Sequence, residues 1–432
     1  MLIGMNSKHV SADDLATKVL SKDKREKGCA RLAAIELEEA LELLTKRVNK
    51  NTKTEKLDLL SALGRVCAEE VTARVPVPHF PKSGMDGYAL RSCDTKGASR
   101  DHPIHFRVVG EICAGDEIYL TAEAFTAVRV MTGGMVPKGY DCVIRQEDTD
   151  YGQEQVEIYV EAEPWQNYCH IGEDIEAGRH IISSGTRLNA GHIGVLASLG
   201  IPEITVFTVP KVGIISTGNE LRPLACPIGK VGVYPSSAYT IAAKLKSKGM
   251  DVSFMEVCAD DASSFSELVN TKINEIDLLI TTGALSVGKR DFLAGALEEM
   301  GAERIFQKVN MRPGTPVMAS LFQGKLILSL SGYPFAAMVN FQLFFWPAVA
   351  KMTGDDSLVW RKTGKTVAQG NMKEAKKRRF LQAFADDEGV HIYDRNQQSS
   401  VLSEMLYSNC IIDQKQGTAI SPGDTVEVIY WD

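Results

Sequence analysis

Residues 210 to 350 alternate between strand-like and helix-like segments, and no other feature of the chain limits its fold so strongly. "KVGIIST", "DVSFMEV", "IDLLITTG" and "KLILSLSG" are short apolar runs. Between and after them lie "SSAYTIAAKLKSKG", "SSFSELVNTKINE", "RDFLAGALEEMG" and "PFAAMVNFQLFFWPAVAKM", which read as helices. Strands buried on both faces carry near-continuous apolar runs, and helical crossovers make neighbouring strands parallel. The pattern predicts an α/β layer fold with a mainly parallel sheet. Sheets of this kind bind ligands outside the carboxyl ends of their strands.

Four loops at strand ends share one composition: "STGNEL" (216–221), "TTGALSVGKRD" (281–291), "MRPGTP" (311–316) and "LSGYPFAA" (330–337). Glycine lets a backbone approach a ligand closely, and N–H groups at helix N-termini favour anions. Thr217, Thr282 and Ser286 add hydroxyl donors, and Gly218, Gly283, Gly288, Gly314 and Gly332 supply the close approach. Any one such loop is equally well a steric turn. Four at one sheet edge argue for an anion site.

The acids at that edge are Glu220, Asp260, Asp261 and Asp291. Carboxylates beside a phosphate repel it unless a divalent cation lies between, so the set points to Mg²⁺, with Asp260, Asp261 and Asp291 as candidate ligands. The structural alternatives are helix capping for Asp260 or Asp261 and a first-turn charge for Asp291.

The remaining chain is more varied. Residues 1 to 34 are polar, with "SADDLATKVLSK" a short helix capped by Ser11 or a loose extension. "IELEEALELLTKRV" sets Leu37, Leu41, Leu44 and Val48 at helical spacing, and "KLDLLSALGRVCAEEV" repeats the pattern with Leu60, Leu63 and Cys67. From about 72 to 160 short valine- and isoleucine-rich runs predict a compact β domain. "NAGHIGVLASLG" predicts a helix ending at Gly200, and β texture returns after Gly354. Asp86-Gly87 reads as a turn and "KKRR" (376–379) as a solvated face, with anion binding the alternative.

A length of 432 residues predicts two to four domains. A net charge of −7 argues against nonspecific nucleic-acid binding. Nine scattered cysteines without a C-x-x-C pair predict reduced thiols in a cytoplasmic protein. No segment reads as a signal peptide or membrane span.

The ordered motifs "SGMDGYA", "MTGGMVPKGYDCVIRQED", "HIGEDIEAGRHIISSGTRLNAGHIGVLASLG", "GIISTGNEL", "SVGKRDF", "RPGTP" and "LSGYP" resemble the molybdopterin molybdenumtransferase family, which includes the E domain of gephyrin. The likeness runs from about Ile35 onward. It implies an N-terminal extension and arm segment over 1–72, a β-barrel-like domain over 73–162 and a second arm segment over 163–209. A molybdopterin-binding α/β domain over 210–353 and a C-terminal β domain over 354–432 complete the chain. It also implies a homodimer, to which the apolar pattern of Leu37, Leu41, Leu44 and Val48 would contribute. Family members take adenylylated molybdopterin and molybdate, cleave the adenylate with Mg²⁺ present and leave molybdenum on the dithiolene. Carried over by motif, Asp86 and Thr132 come from the β domain. Glu220, Asp260 or Asp261, and Asp291 form the acidic set, and Pro313 and Pro316 shape the loop beside the ligand.

This chain departs from the family pattern at that edge. Gly283-Ala284-Leu285 replaces a glycine pair, and Thr315 replaces a lysine. Ser331 and Tyr333 replace a proline and an asparagine, and Tyr234 to Ser237 replace an aspartate-threonine-asparagine triplet. The expected function is Mg²⁺-dependent molybdenum insertion with AMP release. The alternative is a non-catalytic protein that binds the cofactor and delivers it to a molybdoenzyme or another cofactor-biosynthesis protein.

Overall fold

The computed structural model describes residues 33–50, 52–117, 119–285, 292–393 and 397–431. The segment carrying Ser11 and its expected helix lies outside these. The chain divides into two compact units, Lys53–Phe207 and Met1–Thr52 with Thr208–Asp432.

The larger unit is built on a six-stranded sheet. Its spatial order is Val252–Cys258, Val212–Thr217, Leu278–Thr282, Lys325–Leu330, Met318–Phe322 and Glu303–Gln307. The first four strands are parallel and the last two are added antiparallel. Alternation along each strand divides the apolar residues between two cores. Ile214, Ile280 and Leu328 face one core, shared with Ile241 of helix Ser236–Ser247 and with Phe335 and Phe344. Ile215, Leu279 and Ile327 face the other, shared with Phe265 and Val269 of helix Ala262–Lys272 and with Leu293 and Leu297 of helix Leu293–Glu299. Helices therefore cover both faces, as the βα repeat requires.

Two features of this unit were not read from the sequence. "ERIFQ" and "MASLF" form the two antiparallel strands. The long apolar helix is also interrupted: Pro334–Asn340 passes through a π-helical turn, Phe341–Phe345, before Trp346–Thr353. Predominantly apolar character all round residues 335–350 fits the burial of every residue in that stretch.

Helix Leu37–Arg47 has acids in its first turn and bases in its last, which complements the helix dipole. Its apolar face is not free for dimerisation, contrary to the expectation. Leu37, Leu44 and Val48 are buried in the α/β core. Beyond Gly354 a closed barrel forms from Thr363–Gln369, Val390–His391, Arg379–Ala385, Cys410–Gln414 and Thr425–Tyr430.

The smaller unit contains a mixed five-stranded sheet in the order Cys142–Arg145, Gly87–Leu90, Thr126–Val130, Ile104–Ile112, Gln155–Ile158. Its core includes Tyr88, Phe106 and Ile144. The stretch "KLDLLSALGRVCAEEV" is not helical. Thr54–Asp58 is a strand paired with Glu203–Phe207, and the Asp58 carboxylate accepts hydrogen bonds from the Leu60 and Ser61 N–H groups, both at 3.0 Å. That Asx turn stops helix propagation, and it leaves Leu60 79% and Leu63 54% exposed. Helix Ala190–Ser198 is closed by a reciprocal Asn189–His192 capping box, and Gly200 follows with φ +71°. No described helix is long and apolar enough to cross a membrane. All described cysteines are free.

Candidate functional site

At the carboxyl edge of the six-stranded sheet, three of the predicted loops pack directly on one another. The Thr217 hydroxyl donates to the Thr282 carbonyl at 3.1 Å, and the Thr282 hydroxyl donates to Ser216 Oγ at 3.0 Å. Gly283 has φ +97°, and a Cβ there would lie 2.4 Å from the Thr217 carbonyl oxygen. Glycine at 283 is thus required by the neighbouring strand end. Gly332 comes next, with its ideal Cβ position 3.3 Å from Gly283 Cα.

These loops line a cavity of about 590 Å³, into which Glu220 and Asp260 project from adjacent strand ends. Asp260 is tied to the first loop twice: its N–H donates to Asn219 Oδ1 at 3.2 Å, and its carboxylate accepts from the Asn219 N–H at 3.4 Å. Neither Glu220 nor Asp260 has an ion-pair partner among the described residues. Asp261 is used differently. It is the N-cap of helix Ala262–Lys272, accepting from the Ser264 N–H at 2.9 Å and from the Ser263 hydroxyl. Those hydrogen bonds hold its carboxyl down at about 2. Of the two neighbouring aspartates, only Asp260 lines the cavity.

A second cavity of about 870 Å³ adjoins the first and shares Pro316, Ser331, Tyr333 and Ser400 with it. Its walls include Pro313, Gly314 and Thr315 and three cations, Arg312, Lys377 and Arg379. The backbone explains their convergence. Arg312 N–H donates to the Arg378 carbonyl at 2.9 Å, and Phe380 N–H donates to the Arg312 carbonyl at 2.8 Å. The loop thereby pairs like a strand with the edge of the C-terminal barrel and sets Arg312 opposite Arg379. Burial holds the Arg379 guanidinium below its usual value, and the charge of Arg312 adds to that depression. The Thr315 hydroxyl turns back to the Met311 carbonyl.

The "KKRR" run is a solvated face only at Lys376 and Lys377, which are exposed. Lys377 and Arg379 line the second cavity, whereas Arg378, only 6% exposed, is bonded to Asp413 and Glu38. The period-2 alternation of an entering strand separates the two roles. A basic run leading into an apolar strand was the available signal, and the residues alone were read as a solvated face with anion binding the alternative. Asn219 and Asn340 carried no comparable signal, whereas Tyr234 stood out as a departure from the family pattern and does line the first cavity.

Ser286, Gly288 and Asp291 lie outside the described residues. Asp86 and Thr132 belong to the smaller unit and are brought together there. Asp86 Oδ1 accepts from both the Thr132 N–H and its hydroxyl, each at 2.7 Å. These two bonds hold the Asp86 carboxyl below its ordinary value. The turn read from the residues alone and the Asp86–Thr132 pair that the motif implied for this domain thus meet in one contact.

Mg²⁺ is commonly held by one or two carboxylates together with substrate phosphates. Glu220 and Asp260 fit such a donor set, although no group of three or more His, Cys, Asp or Glu among the described residues is arranged to hold a metal alone.

Fold and site together define a doubly wound α/β protein whose sheet edge carries an acidic cavity beside a cationic one. Three family models narrow this class: "MoeA N-terminal region (domain I and II)" matches residues 35–200, "Probable molybdopterin binding domain" matches 213–351, and "MoeA C-terminal region (domain IV)" matches 365–431. The molybdopterin molybdenumtransferase of Haemophilus influenzae is 32% identical over 387 residues, 87% of this chain and 94% of that protein. That of Bacillus subtilis is 35% identical over 304 residues, 69% of this chain and 71% of that protein. Two structures of the molybdopterin biosynthesis MoeA protein of Pyrococcus horikoshii superpose with TM-scores of 0.82 and 0.78. They are 26% and 27% identical and cover 93% and 92% of this chain and 100% of their own. The chain belongs to the molybdopterin molybdenumtransferase family, enzymes of molybdenum cofactor biosynthesis.

Proposed function

We propose that this protein inserts molybdenum from molybdate into adenylylated molybdopterin, in an Mg²⁺-dependent reaction that releases AMP. The observation that carries the reading is the adjacency of the two cavities. One has two carboxylates without ion-pair partners and the other has three cations, with Pro316, Ser331, Tyr333 and Ser400 on their common rim. Glu220 and Asp260 would hold Mg²⁺, which when bound supplies charge neutralisation at the adenylate phosphate. The polar loop edge around Thr217, Thr282 and Gly283 would orient the pterin and its phosphate. Arg312, Lys377 and Arg379 would attract the dianionic molybdate and hold it beside the rim. Asp261 has the lesser part of capping its helix, so the acidic role passes to Asp260, with Asp291 retained from the motif.

The division into arm, β, molybdopterin-binding and C-terminal parts belongs to the same proposal. So does a homodimer in which Asp86 and Thr132 serve a partner's pterin site. Exposed Leu60 and Leu63 support association more directly than the buried Leu37 helix does.

Incubating the purified protein with adenylylated molybdopterin, Mg²⁺ and molybdate should release AMP, and omission of any one of these should stop release. Tight pterin binding without AMP would favour the delivery reading. That alternative draws on one observation: the Thr315 hydroxyl, standing where the family has a lysine, is already engaged with Met311.

A further inference from the structure

We infer that Asn340 is a positioning residue for the paired cavities: its buried carboxamide holds the loop around Gly314 to the loop beginning at Ser331. The inference rests on the functional reading above. Asn340 is fully buried at the end of helix Pro334–Asn340, where every other residue after Pro334 is apolar. Its Oδ1 accepts from the Ser331 N–H at 3.2 Å and its Nδ2 donates to the Gly314 carbonyl at 2.9 Å. Both partners are backbone groups in loops just outside the sheet ladder, so one side chain satisfies two groups that would otherwise be buried without a bond.

The contact is close enough to dictate sequence on the other side. Gly314 has φ +93°, and a Cβ there would lie 2.4 Å from Asn340 Nδ2. Any side chain at 314 would push the loops apart. Gly314 and Thr315 line the cationic cavity, whereas Ser331 lines both cavities. The carboxamide therefore fixes the cationic wall relative to the rim that the two cavities share. The π-helical turn begins at the next residue, Phe341, and such turns inside α-helices are frequent at functional sites.

Asn340→Asp tests this with nearly unchanged shape. The ionised carboxylate keeps the acceptor for Ser331 and loses the donor to Gly314, whereas the protonated acid restores that donor. Hydrogen exchange on the ligand-free protein, normalised to wild type at each pH, should show amides of 311–317 exchanging roughly tenfold faster as pH rises. Strands 212–217 and 325–330 should keep wild-type rates. In the AMP-release assay, KM for molybdate should rise about tenfold, with kcat altered less than about threefold. Wild-type exchange at 311–317 across pH 5 to 9 overturns the inference. So does acceleration spread evenly over the unit, which would make Asn340 an ordinary core residue. If Asn340→Asp does not fold, the smaller Asn340→Ser replaces it, with the same loop-confined acceleration expected at every pH. A wild type that neither binds molybdate nor releases AMP defeats the functional reading, and the exchange experiment still decides whether Asn340 sets the loops.

Discussion

The Arg378 guanidinium meets the Asp413 carboxylate at two points, Nε to Oδ1 at 2.8 Å and Nη2 to Oδ2 at 2.7 Å, with the Asp413 side chain wholly buried. Its Nη1 reaches Glu38 on the N-terminal helix at 2.8 Å, and Lys362 and Lys415 complete the shell around Asp413 at 2.6 and 3.0 Å. Removing one member of a buried pair typically costs 3–5 kcal/mol. Arg378→Met should therefore destabilise by about 3 kcal/mol, near the lower end of that range because two lysines still face the carboxylate.

The pH dependence follows from the same cluster. Burial alone would raise the Asp413 carboxyl, but hydrogen bonds and charge from Arg378, Lys362 and Lys415 outweigh it and hold it well below 3.8. A depressed carboxyl stabilises the fold fully above its unfolded value and loses that contribution as pH falls toward the folded value. Urea unfolding of the wild type should weaken steadily below about pH 4, and Arg378→Met should flatten that decline. An unchanged acid slope in the variant would remove Arg378 from the cause.

The neighbouring aspartates separate capping from catalysis. Asp261→Ala should lower the melting temperature by roughly 2–4 °C and leave AMP release near wild type. Asp260→Asn should do the reverse, leaving stability intact and cutting release by about two orders of magnitude or more. If Asp261→Ala is the inactive one, the assignment must be exchanged.

In the smaller unit, Thr132→Val removes one of the two donors that lower the Asp86 carboxyl and leaves the backbone N–H. The Asp86 titration midpoint, followed by carboxyl-carbon NMR, should move upward toward its ordinary value of 3.8. Asp86→Asn keeps an acceptor for both bonds, so it should fold normally while reducing AMP release on the order of 100-fold. Full activity in Asp86→Asn would leave the aspartate a structural part only.

Arg312 is the expected substitute for the cation lost at position 315. Charged hydrogen bonds contribute about 1.5–3 kcal/mol, so Arg312→Ala should weaken molybdate binding roughly tenfold to a hundredfold by calorimetric titration. Thr315→Lys should strengthen it several-fold, less than a lone cation would, because Lys377 and Arg379 already line the same cavity. Binding that ignores both changes places the oxyanion elsewhere.

The βα repeat was legible because its central strands, Val212–Thr217, Leu278–Thr282 and Lys325–Leu330, are apolar runs buried on both faces. Three of the four loops begin where those runs end, and "MRPGTP" was joined to them by its shared composition. Legibility failed where a long-range partner decides. Leu60 and Leu63 keep helical spacing, but Asp58 turns the chain and Glu203–Phe207 claims the strand before it. Asp260 and Asp261 are indistinguishable by composition, and the Ser264 N–H separates them. Lys377, Arg378 and Arg379 read as one charged run until Arg312 and Asp413, far away in sequence, divide it.

The insertion of Lys53–Phe207 into the larger unit also sets an order of assembly during synthesis. Its outermost strands, Thr54–Asp58 and Glu203–Phe207, pair with each other, so that unit can close once residue 207 has left the ribosome. Leu37 and Leu44 emerge earlier than either strand, yet they share a core with Ile214, Phe344 and Trp431. The first described helix to be made is therefore among the last to be buried, and its apolar face must wait through most of translation for the residues that cover it.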